Sequence, residues 1–345
     1  MTKSEIQSPK MELQTFKLQR GAALIVVLSF LVLLSLIVST IVVLSKSAST
    51  KIIIEGDRIT SGYLAEGAAA RLQWLLMDDI KAHPNSNALK RFDSIMNDNN
   101  TSGSRKYMAN GAPVSIPYYD ASITVRIYDM CSGLNIGGGQ GVNSLKQLQQ
   151  VYVNTPDLYY EFKVFINRFT DYIGTGFGQT VNGLGKAGYN NLGLAPLPRN
   201  GQIQYRDEIL WIPGSQLFFY PDDNGRLSIF DVIANDFYAN QVNFFSASKL
   251  IIMALCNYSD QDAQYIIEGR DRWFGNSNLS LYDFIDQKYM SVLRQKFSFQ
   301  DSGNYTFVIN AAASDGSYER ELIISLKVAT SMQGEYNQYY EYILY

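Results

Sequence analysis

The sequence predicts an α+β protein in which one long N-terminal helix, half membrane anchor and half domain spine, packs on an antiparallel sheet with a large all-helical insertion. Three observations carry this. Residues 22–44 form an apolar run without a charge, and a helical period continues beyond it as far as His83-Pro84. Alternating strand patterns occur near residue 125 and again near residue 310, with helical patterns between them.

The run reads AALIVVLSFLVLLSLIVSTIVVL, and as a helix at ~1.5 Å per residue it spans about 35 Å, enough to cross a bilayer core. Lys3, Lys10, Lys17 and Arg20 precede it, and positive charge there keeps that end in the cytoplasm. The bulk of the chain is then expected on the far side. An ordinary secretory signal has a shorter apolar region of about 7–15 residues and a small-residue cleavage site after it; a plain signal anchor is the other reading. Past the membrane, Ile59, Tyr63, Ala70, Trp74 and Met77 fall on one stripe, so the helix is expected to meet the sheet through Trp74. His83-Pro84-Asn85 ends it, because proline disfavours helix in the residue before it.

The junction Gln19-Arg20-Gly21-Ala22-Ala23-Leu24 puts a basic residue and a glycine directly before the apolar run. It resembles the class III leader of type IV pilins and type II secretion pseudopilins. That resemblance implies cleavage between Gly21 and Ala22 by a prepilin peptidase, methylation of the new amine, and a helix that stays on the mature protein. Most members carry Glu at mature position five, which here is Val26. A charge at that depth costs roughly 3 kcal/mol, offset by pairing with a neighbour's amine. A subunit without the carboxylate cannot neutralise one ahead of it but still offers its own amine behind, which suits the outermost place in a filament. The same substitution is typical of the K family of minor pseudopilins (general secretion pathway protein K).

Further segments resemble that family. Ala65-Glu66-Gly67-Ala68 is similar to its Ala-rich spine. Tyr128-Asp129-Met130-Cys131-Ser132-Gly133-Leu134-Asn135 is similar to its strand ending in an acidic residue, a glycine and Leu-Asn. Arg199-Asn200-Gly201 followed by Asp207-Glu208-Ile209-Leu210-Trp211-Ile212-Pro213-Gly214 resembles its "RNG … EELL-x-V-x-G" stretch, and Val242-Asn243-Phe244-Phe245-Ser246-Ala247 its "VNVNTA". The Trp-Arg-Asp-rich loop usual before "RNG" is replaced by Thr170-Asp171-Tyr172 and a Gly-rich run, and the leader of 21 residues is long.

The resulting organisation is a leader at 1–21 and a transmembrane helix at 22–44. The spine and first part of a pilin-like domain follow at 45–137, a mainly helical insertion at 138–300, and C-terminal strands completing the sheet at 301–345. Ile123, Val125 and Ile127 alternate with polar residues as a half-buried strand. Thr155-Pro156 opens a helix with the stripe Leu158, Phe162, Phe165, Phe169 and Ile173. Residues 174–193 read as a Gly- and Asn-rich loop. Ser246 is expected to cap a helix over 247–256, and Ser259 with Asp262 another over 260–270. That pair resembles a helix-hairpin-helix, but its acidic surroundings argue against nucleic acid. Tyr305, Phe307, Ile309 and Ala311 alternate as a strand, Asp315-Gly316 turns, 322–328 return, and the tail 336–345 can add an edge strand.

Composition excludes several functions. The net charge of −3 offers no basic field for nucleic acid. Cys131 and Cys256 are the only cysteines, too few for a zinc quartet, and they could pair in an oxidising compartment. The 24 tyrosines suit either protein contact or half-exposed strands. The single histidine, His83, sits at a helix end, no HExxH or GxSxG occurs, and Gly183-x-Gly185-x-x-Gly188 lacks the strand and helix a nucleotide site needs. No enzyme is expected, and a membrane-tethered periplasmic enzyme is the remote alternative. Asp222, Asp223 and Asn224 offer clustered hard oxygens for calcium, which some K-family members bind, and with Gly225 they also read as a plain turn. The resemblance implies a minor pseudopilin capping or initiating a type II secretion pseudopilus in the bacterial inner membrane. Its domain would be periplasmic, its partners the I- and J-type minor pseudopilins, the major pseudopilin, the prepilin peptidase and secreted substrates. A minor subunit of a type IV pilus is the alternative.

Overall fold

The computed structural model describes residues 10–83, 88–89, 105–119, 121, 123–175, 179–194, 196–220, 228–234, 241–276, 279–300, 302–312, 319–328 and 339–344. The chain divides into two units, Met1–Thr60 and Ser61–Tyr345. Helix α1, Lys10–Ala82, contributes to both.

In the first unit, α1 holds the one helix among the described residues that is long and apolar enough to cross a membrane, and none of its most apolar window is buried within the molecule. Leu24, Ile25, Leu28, Phe30 and Leu44 are each more than 60% exposed. Side chains of this kind in continuous array demand lipid or protein around them, not water. The polar residues within the run are made compatible with hydrocarbon: Ser29 Oγ donates to Ile25 O at 2.8 Å and Thr40 Oγ1 to Ile37 O at 2.7 Å.

The second unit is built on a five-stranded antiparallel sheet in the order β1-β2-β5-β6-β7. Its strands are β1 (Asn110–Ser115), β2 (Ile123–Asp129), β5 (Asn304–Ala312), β6 (Glu319–Lys327) and β7 (Tyr339–Leu344). A separate two-stranded parallel sheet pairs β3 (Val242–Asn243) with β4 (Phe297–Ser298). Strands β2 and β5 are neighbours in register, Ile123 opposite Ala311 through Asp129 opposite Tyr305. Between them in sequence lie the helices α2 (Gly141–Gln149), α3 (Pro156–Ile173), α4 (Lys186–Asn191), α5 (Gln216–Phe219), α6 (Ser228–Val232), α7 (Lys249–Cys256), α8 (Asp260–Gly275) and α9 (Gln287–Lys296).

The pleat sends alternate residues to two cores. Ile123, Val125, Ile127, Tyr305, Phe307, Ile309, Leu322 and Ile324 pack against Ala65, Ala68, Ala69, Leu72, Leu76 and Ile80 of α1. Tyr128, Val308 and Ile323 face the other way, into a second core shared with Phe162, Phe165, Phe169, Phe219, Phe245 and Trp273 of the helical block. The sheet is therefore covered on both sides. Helix α1 on antiparallel strands is the arrangement the pilin resemblance implies.

The face that α1 presents to the sheet is not the one its largest side chains mark. Trp74 is 50% exposed and Tyr63 71% exposed, while Ala65 and Ala68 are fully buried. Small residues let the helix axis come close to the strands. At Gly67 a Cβ would lie 2.1 Å from Tyr118 Oη, so a larger residue there would displace the Tyr118 ring, which lies against the helix. Trp74 instead carries the Arg71 guanidinium 5.0 Å above its ring on the outer side.

Local signals elsewhere are partly met. Helix α3 starts at Pro156 and buries Phe162, Phe165 and Phe169, with Leu158 left 37% exposed at its first turn. Ser259 caps α8 by accepting from Asp262 N at 3.1 Å. Ser246 does not cap α7, which begins two residues later than expected, at Lys249; Ser246 Oγ donates back to Asn243 O at 3.4 Å. Within the stretch read as a continuous loop, α4 forms. Cys131 and Cys256 are not joined by a disulfide, and the former is buried. Asp315-Gly316 lies outside the described residues, but β5 and β6 pair as the expected hairpin, and β7 adds the edge strand.

Candidate functional site

Three places carry the residues singled out above. The first is the start of α1. Gly21 and Ala22 lie within the helix, and Val26 stands 68% exposed on it. Val26 therefore presents an aliphatic surface at this point of the helix.

The second is the point where the helical block joins the sheet. β2 ends in Asp129, which is buried, and its carboxylate ties three segments together. Oδ1 accepts from Cys131 N at 2.7 Å, and Oδ2 accepts from Asn243 Nδ2 at 2.8 Å and from Ser302 N at 3.4 Å. Asn243 is itself fixed, since its Oδ1 accepts from Phe245 N at 3.0 Å and its own N–H donates to Cys131 O at 2.9 Å. Phe244 N donates to Ser298 O at 2.9 Å and Met130 N to Asn304 O at 2.9 Å, so entry to and exit from the block are clipped side by side. Gly133 completes the joint. A Cβ there would meet the backbone of Val232 and Ile233 at 2.4 Å, where Leu134 N donates to Val232 O at 2.7 Å.

The third is the Arg199–Glu208 pair. Glu208 is buried, and its Oε1 accepts from Arg199 Nη1 at 2.9 Å, from Gln204 N at 2.8 Å and from Tyr205 N at 3.0 Å, while Tyr172 Oη donates to Oε2 at 3.3 Å. Burial first, then the Glu208 carboxylate, pushes the Tyr172 phenol up to about 12. Arg206, also buried, lies 3.7 Å over the Phe230 ring. The two halves of the "RNG … DEILWIPG" resemblance thus fold onto each other as an ion pair. The pair holds the loop between residues 199 and 208.

Asp222, Asp223 and Asn224 lie outside the described residues. Among the described residues, no group of three His, Cys, Asp or Glu is placed to hold a metal ion. Sequence reading missed the Asp129–Asn243 tie, whose partners are 114 positions apart, and the Arg199–Glu208 pair, although both carboxylates lie in segments that drew attention.

No family model matches the sequence, and no curated protein matches it. Among solved structures, a chain of the crystal structure of the GspK-GspI-GspJ complex from the enterotoxigenic Escherichia coli type 2 secretion system is similar. The two share 12% identity over 81% of this chain and 95% of that one, with a TM-score of 0.49.

Proposed function

We propose that the chain is a membrane-anchored minor pseudopilin of the K type, placed at the tip of a type II secretion pseudopilus. The observation that carries this is the double use of α1. Its residues 24–44 are bare, charge-free and apolar, and its residues 65–80 turn an alanine-rich face to an antiparallel sheet. The basic-Gly junction before the run supports processing between Gly21 and Ala22. The missing carboxylate at Val26 supports the outermost position and favours this reading over an ordinary pilus subunit. The domain lies on the periplasmic side of the inner membrane. Its partners are the I- and J-type minor pseudopilins below it and the major pseudopilin beyond them. It acts by assembly and not by catalysis.

Processing is the direct test. Co-expression with a prepilin peptidase is expected to leave 324 of the 345 residues, beginning at an N-methylated Ala22. Loss of four Lys/Arg and two Glu takes the net charge from −3 to −5. Mass spectrometry that finds the leader intact, or a cut after Leu44, removes the pilin reading.

A second expectation concerns position. Val26→Glu places a carboxylate in hydrocarbon with no subunit ahead to pair it, at a cost of roughly 3 kcal/mol or a raised pKa. Filament initiation should fall. Unchanged or improved assembly, with copy number rising with filament length, would mark an internal subunit instead.

A further inference from the structure

Helix α1 has support at two places and stands clear between them. Residues 24–44 are apolar, and in hydrocarbon an opened peptide group finds no water to replace its hydrogen bond, so the helix stays closed there. From Ser61 onward, itself fully buried, Ala65, Ala68, Leu72 and Leu76 pack on the sheet. Residues 45–60 have neither support. All of them are exposed except Asp57, which is half-buried. A Cβ on Gly56 would meet nothing within 4 Å.

Without packing, intrinsic propensity decides whether a helix persists. The stretch reads SKSASTKIIIEGDRIT, and eleven of its sixteen residues (serine, threonine, isoleucine, glycine and aspartate) rank below the straight-chain helix formers. Isoleucine and threonine lose side-chain freedom against the preceding turn, and serine and aspartate offer the backbone competing hydrogen bonds. Thr50 Oγ1 donates to Lys46 O and Thr60 Oγ1 to Gly56 O, each at 2.9 Å, and contacts of this kind bend a helix. The Arg58–Glu55 ion pair, at 3.9 Å with both side chains about half exposed, adds little. Gly56 is not there for room, since a side chain would fit. Its effect is the freedom it gives the backbone.

We infer that α1 carries a joint at residues 50–60, which unwinds and re-forms while residues 24–44 and 65–80 stay helical. Closed, the joint spans about 16 Å; fully extended, it reaches about 36 Å. It is a tether of adjustable length between the anchor and the first residues that pack on the sheet. The apolar run is not part of it, because opening there would strand peptide groups in lipid. Nor are residues 65–80, because opening there would uncover the alanine face and the strands beneath it. The inference needs only that α1 is a membrane anchor, not that the chain takes a particular place in a filament.

The test is hydrogen–deuterium exchange of the full chain in lipid nanodiscs, read by mass spectrometry segment by segment. Amides of residues 53–60 should exchange at least about a hundredfold faster than those of residues 68–80, with residues 28–44 protected by lipid. Gly56→Ala, at a position open on all sides, should slow exchange in residues 53–60 by about fivefold, the ratio that glycine and alanine propensities imply, and leave residues 68–80 unchanged. Equal protection of residues 53–60 and 68–80 overturns the joint. So does a Gly56→Ala chain whose residues 53–60 exchange as in the parent. Fast exchange through residues 28–44 as well would remove the anchor and the joint with it, whereas protection there beside fast exchange at residues 53–60 supports both.

Discussion

Asp129→Ala is expected to cost about 4 kcal/mol, because it removes one charged acceptor from three donors at once. Hydrogen bonds to charged groups contribute about 1.5–3 kcal/mol each, and the orphaned Cys131 amide and Asn243 amide group would stay buried, with the Ser302 amide half-buried. Domains of ordinary stability have about 5–15 kcal/mol in total, so the loss is a large share of it. Asp129→Asn should cost less, about 2 kcal/mol. It keeps an acceptor for Cys131 N but sets an amide donor against Asn243 Nδ2, and Asn243 cannot turn over while its Oδ1 accepts from Phe245 N. Urea unfolding of the chain in detergent gives the totals. Hydrogen exchange gives the place, since the Asn243 and Phe244 amides, which donate to Cys131 O and Ser298 O, should lose protection first. A change below 1 kcal/mol for the alanine variant would show that the carboxylate is not the tie described.

Glu208→Ala should cost about 3 kcal/mol, and Glu208→Gln about half of that. Arg199 is partly exposed and recovers some hydration, whereas the Gln204 and Tyr205 amides and the Tyr172 hydroxyl lose their acceptor. The phenol supplies a second readout. Tyr172 titrates at about 12 in the folded protein against an ordinary 10.0, first from burial and then from Glu208. The neutral phenol is the folded form, so this contribution to stability is complete below pH 10 and is lost as pH rises from 10 towards 12. In Glu208→Gln the folded pKa should drop towards 10 without reaching it, because burial remains. The alkaline loss of stability should then be shallower than in the parent chain. An identical alkaline profile would mean that the carboxylate does not act on Tyr172.

The sequence made the large elements legible where period and composition agreed. The bare apolar run, the phenylalanine stripe of α3 and the alternation in β2 and β5 each produced the element expected. The buried face of α1 was misread because ranking by side-chain size points to Tyr63 and Trp74, whereas close packing on a sheet selects Ala65, Ala68 and Ala69. The start of α7 was misplaced because Ser246 had a competing acceptor in Asn243 O, which no one-dimensional pattern contains. Asp129 and Glu208 were visible as members of resembling segments, but their partners come from elements that only folding brings together.

The clip formed by β3, β4, Asn243 and Asp129 bears on the order in which the chain can fold. β2 leaves the synthesis machinery long before β5, its neighbour in the sheet, and closing so long a loop costs conformational entropy that grows as about (3/2)RT times the logarithm of its length. Pairing of this kind is slow when it must be searched for directly. A block that folds first presents Cys131 and Ser298 beside the same short ladder, and the closure that remains spans only the few residues between that ladder and the strands. In that order the helical block brings the ends of two distant strands together, and Ile123, Val125 and Ile127 of β2 are covered when the sheet closes on α1.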